Sequence, residues 1–456
     1  MIENSNYQSL RKDIFKQLCK DLYNDQIKKT INNLPYQLTK KDSHEELDLI
    51  KNEILLAMGL NPTAKNDTEL SAELNTALNL KEVKQPVVTV NRKICDLCQK
   101  KYGPDYCRVG CDINEKEGLL IEDGRCISCG KCIPKCPLEA VSDKVEFFPL
   151  YKYLKNDTQV YANVAPAIMG QFGEKVTAGH LRSAFKKIGF TDMVEVALFA
   201  DIVTLREADE YNRLVQKEGD FMITSCCCPV WVNMVTKHYP SLNNHLTRTV
   251  SPMIASGRLI KLLFPDAITV FIGPCIAKKA EAKHPELKGA IDFVLTFDEL
   301  DLIFEALNID PARLPEDNKE QSSRGGRVYA RTGGVSQAVS DTVKRLSPHE
   351  HVKFKANQAD GVKNCKKLLD ELKEGKVEAT FIEGMGCEGG CVGGPKRIND
   401  IKEATRLVNK FGSKARSQTP IDNNNIYHIF NYLTQLIESQ EQIIDEETYD
   451  NILVRK

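Results

Sequence analysis

Residues 267–275 read AITVFIGPC. An apolar, β-branched run of this length predicts a buried strand, and the Gly-Pro pair that ends it leaves Cys275 just beyond the strand's carboxyl end. The pattern recurs on both sides. Residues 220–226, DFMITSC, and 378–387, EATFIEGMGC, also end in cysteine, while 160–168, VYANVAPAI, and 293–297, FVLTF, carry the same strand signature without one. Helical stretches such as HLRSAFKKIGF (180–190) and ELDLIFEAL (299–307) fall between them. Alternation of this kind predicts an α/β fold with mostly parallel sheets. It also puts cysteines at strand carboxyl ends, where such sheets open their ligand crevices.

The rest of the 456 residues frame this core. Residues 1–80 read as amphipathic helices, with Asp42 and Ser43 as expected caps, and carry no chemistry of their own. KEVKQPVVTVNRK (81–93) is a short linker or strand into a cysteine-rich segment. The polar ARLPEDNKEQSSRGGR (312–327) is expected to be a mobile surface loop, and the charged tail from Glu438 to be helical or frayed. Three segments follow: a helical extension over 1–88, a cysteine-rich domain over 89–148, and an α/β domain over 149–456.

Lys and Arg number 62 against 63 Asp and Glu, so the charge balance gives no support for a nucleic-acid or anionic-membrane partner. No secretory signal opens the sequence and no apolar run reaches the roughly 18 residues of a membrane span, so a cytoplasmic protein is expected. Sixteen cysteines in a reducing compartment point to metal ligation and not to disulfides. Eight of them crowd between Cys95 and Cys136.

Within that crowd, CISCGKCIPKCP sets Cys126, Cys129, Cys132 and Cys136 at C-x2-C-x2-C-x3-C-P spacing, the run that ligates a [4Fe-4S] cubane and lends its fourth thiolate to another. Upstream, CDLCQKKYGPDYCRVGC repeats the grammar with Cys95, Cys98, Cys107 and Cys111 and a longer spacer. Two [4Fe-4S] clusters fit, one on Cys95, Cys98, Cys107 and Cys136, the other on Cys126, Cys129, Cys132 and Cys111. A pair of zinc sites is the alternative, although four cysteines within eleven residues crowd a single ion. Clusters that pass single electrons imply a redox centre elsewhere.

Three runs supply candidates for it: TSCCCPVWV (224–232), GPCIAKKAEA (273–282) and EGMGCEGGCVGGP (383–395). One cysteine from each of the first two and a pair from the third make a four-thiolate cubane site assembled across the sheet. A lone cysteine of this kind is more often buried core. Glycine and proline around all three runs favour instead close backbone approach to a bulky group.

These runs resemble the TSCCPxW, MPCxxKxxE and ExMxCxxGCxxGG signatures of [FeFe] hydrogenases, in order, over roughly residues 95–400. The likeness is closest to the branch with TSCCCP. It implies a two-lobed iron-only hydrogenase catalytic domain after a ferredoxin-like 2[4Fe-4S] domain, catalysing 2H+ + 2e− ⇌ H2 at an H-cluster. That cofactor is a [4Fe-4S] cubane joined to a diiron unit with CO, cyanide and azadithiolate ligands. The resemblance assigns Cys228, Cys275, Cys387 and Cys391 to the cubane, Cys391 also bridging to the diiron unit. Lys278 would hydrogen-bond a cyanide, Met385 would flank the diiron unit apolarly, and Cys227 would donate and accept protons. Glu207, Glu210 and Thr247 occupy the places of the proton pathway, although LREADEY reads equally as an exposed charged helix. A ferredoxin or similar electron carrier and maturation proteins for the diiron unit are the implied partners. The sequence departs from the pattern at Gly273, where methionine is usual and apolar bulk is lost, at Pro395, and at the additional Cys226, which is a second acid, a protective thiol or a small buried residue. Two other readings stay open: a sensor of H2 or redox state with low turnover, and a hydrogenase-like iron-sulfur assembly protein, which needs no proton relay.

Overall fold

The computed structural model describes residues 7–39, 44–62, 69–83, 85–103, 124–347, 352–439 and 446–455. Asp42, Ser43, Cys107 and Cys111 lie outside them. The chain divides into two compact units, Met1–Asp157 with Asp298–Asp310, and Thr158–Phe297 with Pro311–Lys456.

In the first unit the amphipathic pattern forms the expected helices Tyr7–Tyr23, His44–Ala57 and Leu70–Asn79. Ile14, Phe15, Leu18 and Leu22 make one stripe at three- and four-residue spacing, each at most 3% exposed. Phe15 meets Phe147 and Phe148 edge-on, with ring centroids 5.8 and 6.4 Å apart. The carboxylate of Glu53, fully buried, accepts from Arg11 Nε at 2.8 Å and from Asn91 Nδ2 at 2.9 Å. Asn91 precedes the helix Arg92–Tyr102 that carries Cys95 and Cys98, so this carboxylate ties the helical extension to the cysteine-rich segment. Strands β1 (Val88–Val90) and β2 (Val141–Asp143) pair antiparallel on either side of that segment.

The second unit holds seven strands among the described residues: β3 (Val160–Val164), β4 (Asp192–Glu195), β5 (Met222–Ile223), β6 (Ile268–Gly273), β7 (Phe293–Thr296), β8 (Ala356–Asp360) and β9 (Phe381–Met385). They form two sheets in the orders β4-β3-β6-β7 and β5-β9-β8, every pair parallel. Parallel neighbours require crossover connections, and the intervening helices supply them. The α/β expectation is met, with differences in detail. DFMITSC contributes only two ladder residues, because the chain leaves the sheet at Thr224 to build a loop. Strands β4 and β8 were not anticipated; ANQAD is a polar edge strand with no apolar run to signal it.

Segment 312–327 also differs from the expected mobile loop. Its second half is tied down: Ser323 caps the short helix Arg324–Arg327, and Ser323 and Gly326 donate to the buried Asp201. Asp201 sits on the 19-residue helix Val196–Leu214, which packs against the helices Pro252–Leu263 and Gly334–Leu346. No described helix is long and apolar enough to cross a membrane.

Candidate metal and proton-transfer site

Three loops at strand carboxyl ends build the site, two from one sheet and one from the other. After β5, Cys228 takes the N-cap position of the helix Pro229–His238, with Pro229 pre-set for the first helical residue. After β6, Cys275 precedes the short helix Ala277–Glu281. After β9, Cys387 and Cys391 bracket a glycine pair, and Gly390 adopts φ +87°, where a Cβ would stand 2.6 Å from Thr332 N.

The structure brings three of the four expected cubane ligands together. Burial pushes the Cys275 thiol up to about 12, with Cys228 and Cys391 adding to the rise. Cys387 lies four residues before Cys391 on the same loop, its carbonyl accepting from Gly390 N at 3.1 Å. Gly386 N donates to Cys228 Sγ at 3.3 Å, the kind of bond that favours a thiolate. The Cys227 thiol donates to Cys391, which raises Cys227 and lowers Cys391.

A cation completes the group. Lys278 Nζ is 2.7 Å from Glu281 Oε2 and 3.1 Å from the Cys227 carbonyl oxygen, with its side chain 8% exposed. Burial pushes its pKa down, and Glu281, Cys227 and Cys275 together more than reverse that, so it remains charged beside the thiols. Gly273 does not leave a void. A Cβ there would meet Phe271 Cε1 at 2.6 Å, so the Phe271 ring occupies the space above it and lies 5.9 Å from Lys278 Nζ. Met385 is buried at the end of β9, and its carbonyl accepts from Gly361 N and from Cys365 Sγ.

A four-thiolate cluster fits these residues. Cys228, Cys275 and Cys391 act on one another's charge, Gly386 N donates to the Cys228 sulfur, and a buried ammonium stands beside the thiols with Glu281 as its carboxylate partner. Among the described residues no three His, Cys, Asp or Glu side chains gather tightly enough for a single ion, whereas cubane ligands, each on its own iron, stand further apart.

A buried polar chain approaches the TSCCCP loop from the Val196–Leu214 helix. LREADEY is not an exposed face: Glu207 is fully buried, and the Glu210 side chain is 13% exposed. Thr247 Oγ1 accepts from Ser225 N at 2.9 Å and donates to Glu207 Oε1 at 2.7 Å, while Glu207 Oε2 has no hydrogen-bond partner. Burial first, and Glu210 second, raise the Glu207 carboxyl to about 8, so it is protonated at neutral pH. Thr249 Oγ1 donates to Glu210 Oε2 at 3.0 Å. Arg206, 3.6 Å from Glu210 and 3.3 Å from the half-exposed Asp450, leads from there to the surface. No direct hydrogen bond joins Glu207 to Cys227 among the described residues.

Glu207, Glu210 and Thr247 are thus brought together as expected. Ser225, Thr249 and Arg206 were not singled out from the sequence. The alternation Thr247, Thr249, Ser251 in TRTVS was the available signal, since period two puts hydroxyls on one side.

Of the candidate relay ligands, six lie in described residues. Cys126 Sγ accepts from Ser128 N at 3.3 Å and Cys136 Sγ from Ala140 N at 3.2 Å. Cys129 falls between Ser128 and Gly130, both at positive φ, and Cys132 opens the short helix Cys132–Lys135. Cys95 and Cys98 share one helix, Arg92–Tyr102.

Residues 158–395 match the family model of the iron only hydrogenase large subunit, C-terminal domain. This chain belongs to the iron-only hydrogenase family. The match begins where the second compact unit begins. The periplasmic [Fe] hydrogenase large subunit of Nitratidesulfovibrio vulgaris is 30% identical over 370 residues, 63% of this chain and 88% of that one. Iron hydrogenase 1 of Clostridium pasteurianum is 27% identical, over 70% of this chain and 68% of its own length. Cytosolic iron-sulfur assembly component 3 of Bos taurus is 23% identical, over 69% of this chain and 80% of its own. Among solved structures, [FeFe]-hydrogenase HydA1 of Chlamydomonas reinhardtii shares the fold with a TM-score of 0.55 at 21% identity, covering 67% of this chain and 97% of that one. The relatives of this iron-only hydrogenase family member therefore include both hydrogenases and an iron-sulfur assembly component.

Proposed function

We propose that the chain is an [FeFe] hydrogenase that interconverts protons, electrons and H2. Cys228, Cys275, Cys387 and Cys391 would hold an H-cluster through its cubane. Bound there, that cofactor supplies the redox chemistry. Cys95, Cys98, Cys107, Cys111, Cys126, Cys129, Cys132 and Cys136 hold two [4Fe-4S] relays in a ferredoxin-type segment, fed by ferredoxin or a similar carrier. Lys278 balances negative charge, and Phe271 with Met385 excludes water.

The observation that carries this reading over an assembly role is the buried acid chain. A protein that only holds cubanes has no proton to move, yet Glu207 is a buried carboxylic acid with one uncommitted oxygen, two hydroxyls from a second carboxyl. Glu210 takes protons from the Arg206 and Asp450 side, Thr249 stands beside both carboxyls, and Glu207 holds the proton next to the loop that carries Cys227. The Cys227 thiol moves it at Sγ, a group whose acidity lies near that of an amine.

Infrared spectra in the CO and cyanide stretching region, taken on protein matured with the diiron unit and paired with an H2 assay, test the proposal. Bands with turnover are expected. Bands with negligible turnover would favour a sensor, and no bands despite proven maturation would favour the assembly role, to which the similarity with the Bos taurus component lends support.

A further inference from the structure

The ammonium of Lys278 is matched by a carboxylate of its own. Its Nζ is 2.7 Å from Glu281 Oε2, and with side chains 8% and 2% exposed the two charges offset each other out of reach of solvent. A pair with no net charge stabilises an anionic cluster far less than a lone cation does. The second oxygen, Glu281 Oε1, is buried without a hydrogen-bond partner among the described residues. It faces another cation. Arg455 Nη2 stands 3.7 Å away, and Arg455 Nε and Nη2 are likewise buried without a hydrogen-bond partner among the described residues.

The backbone fixes Arg455 in this place. Residues that follow the helix Glu446–Leu453 lie against segment 248–250 as an added edge: Val250 N donates to Leu453 O at 2.8 Å, and Thr249 pairs antiparallel with Val454. Arg455 N donates to Arg248 O at 2.8 Å, and Arg248 Nη2 returns a bond to Arg455 O at 2.9 Å. Arg258 spends its guanidinium on carbonyls, those of Asn451, Ile452 and Val454 at 2.8 to 3.3 Å and that of Glu286 at 3.0 Å. It therefore anchors the segment and leaves Glu281 to Arg455. An arginine with no inward partner would extend into water, whereas this side chain is 17% exposed.

We propose that Arg455 is a positioning residue for Lys278, acting through Glu281. The one carboxylate is shared between two cations, so the group of three carries one net positive charge beside the cysteine site. Lys278 is then not drawn wholly to Glu281 and keeps its bond to the Cys227 carbonyl oxygen at 3.1 Å, on the TSCCCP loop. A reduced cluster holds one electron more than an oxidised one, so this charge favours the reduced form. The proposal rests on Cys228, Cys275, Cys387 and Cys391 being cluster ligands. It does not depend on turnover of H2.

Redox titration of the full chain, purified without oxygen and produced without the diiron unit, reads this charge. The cluster of the site is assigned by the electron paramagnetic resonance signal that Cys275→Ala abolishes. In Arg455→Gln the ratio of reduced to oxidised cluster at a fixed potential is expected to fall about tenfold, ~59 mV for one electron, while the other clusters stay where they were. Arg455→Lys should keep most of the unaltered value. Glu281→Gln, which leaves two cations without their carboxylate, is expected to raise the ratio. The double variant Arg455→Gln with Glu281→Gln again carries one positive charge, so its potential is expected to return toward that of the unaltered chain; a merely structural part for Arg455 would predict further loss instead. An unshifted potential in Arg455→Gln, or a double variant as low as the single one, would overturn the proposal. Absence of any Cys275-dependent signal in the unaltered chain would overturn the cluster site and the proposal together. Absent H2 turnover in matured protein, with the shifts intact, counts against the hydrogenase reading alone.

Discussion

The helix Val196–Leu214 carries two fully buried carboxyl groups that have opposite fates. Asp201, in its first half, is saturated: Ser323 N, Ser323 Oγ, Gly326 N and Asn423 Nδ2 all donate to it, three of them at 2.7 to 2.9 Å. Glu207, in the second half, accepts from Thr247 and leaves Oε2 without a partner. Burial raises both, Asp201 to about 6 despite its donors and Glu207 to about 8 with Glu210 adding to the rise. At neutral pH one is therefore an anion locked in place and the other an acid with a proton to give. Complete hydrogen bonding makes a buried carboxylate a clamp, and incomplete bonding keeps one available for transfer.

Substitutions at the two ends should separate these roles. Glu207→Gln, which keeps size and polarity but cannot carry the proton, is expected to lower H2 turnover by about 10²- to 10⁴-fold while the cluster spectra persist. Cys227→Ala should do the same, and retained turnover in either would remove that residue from the route. Asp201→Ala is expected to act on the fold instead, costing about 3 kcal/mol in denaturant unfolding because several buried donors lose their acceptor. Equal stability of Asp201→Ala and the unaltered chain would erase the contrast. Glu210→Gln, nearer the surface, should cost only about tenfold in turnover, because solvent can reach the chain beyond it.

The pH dependence of stability sharpens the comparison further. Each carboxyl has a folded value raised above its unfolded one, so each stabilises fully at low pH and loses that contribution as pH rises through the folded value. The windows differ: from about 3.8 to about 6 for Asp201, and from about 4.5 to about 8 for Glu207. Glu207→Gln should flatten thermal stability against pH mainly above pH 6, and Asp201→Asn below it. An unchanged slope above pH 6 in Glu207→Gln would place the proton elsewhere.

Much of this arrangement was legible in the sequence, and the reasons are local. The strands β6 and β9 announce themselves as apolar runs ending in Gly, Pro and Cys. Strand β8 was hidden because an edge strand need not be apolar. The even reading of LREADEY was undecidable by pattern: the segment has charges on every face, and only packing of its helix against Pro252–Leu263 and Gly334–Leu346 buries Glu207. Tyr329 meets Cys226 across 103 residues and Ser225 meets Thr247 across 22, and no periodicity marks a hydroxyl whose partner lies on another element. Gly273 read as lost apolar bulk, because a sequence does not show that Phe271 folds over it.

The most direct measurement is exchange between D2 and water by the matured full chain, which needs the cofactor and the proton route but no electron partner. The account predicts steady formation of HD and H2 by the unaltered protein and its loss in Glu207→Gln. Absence of exchange in protein that carries the CO and cyanide bands would contradict it.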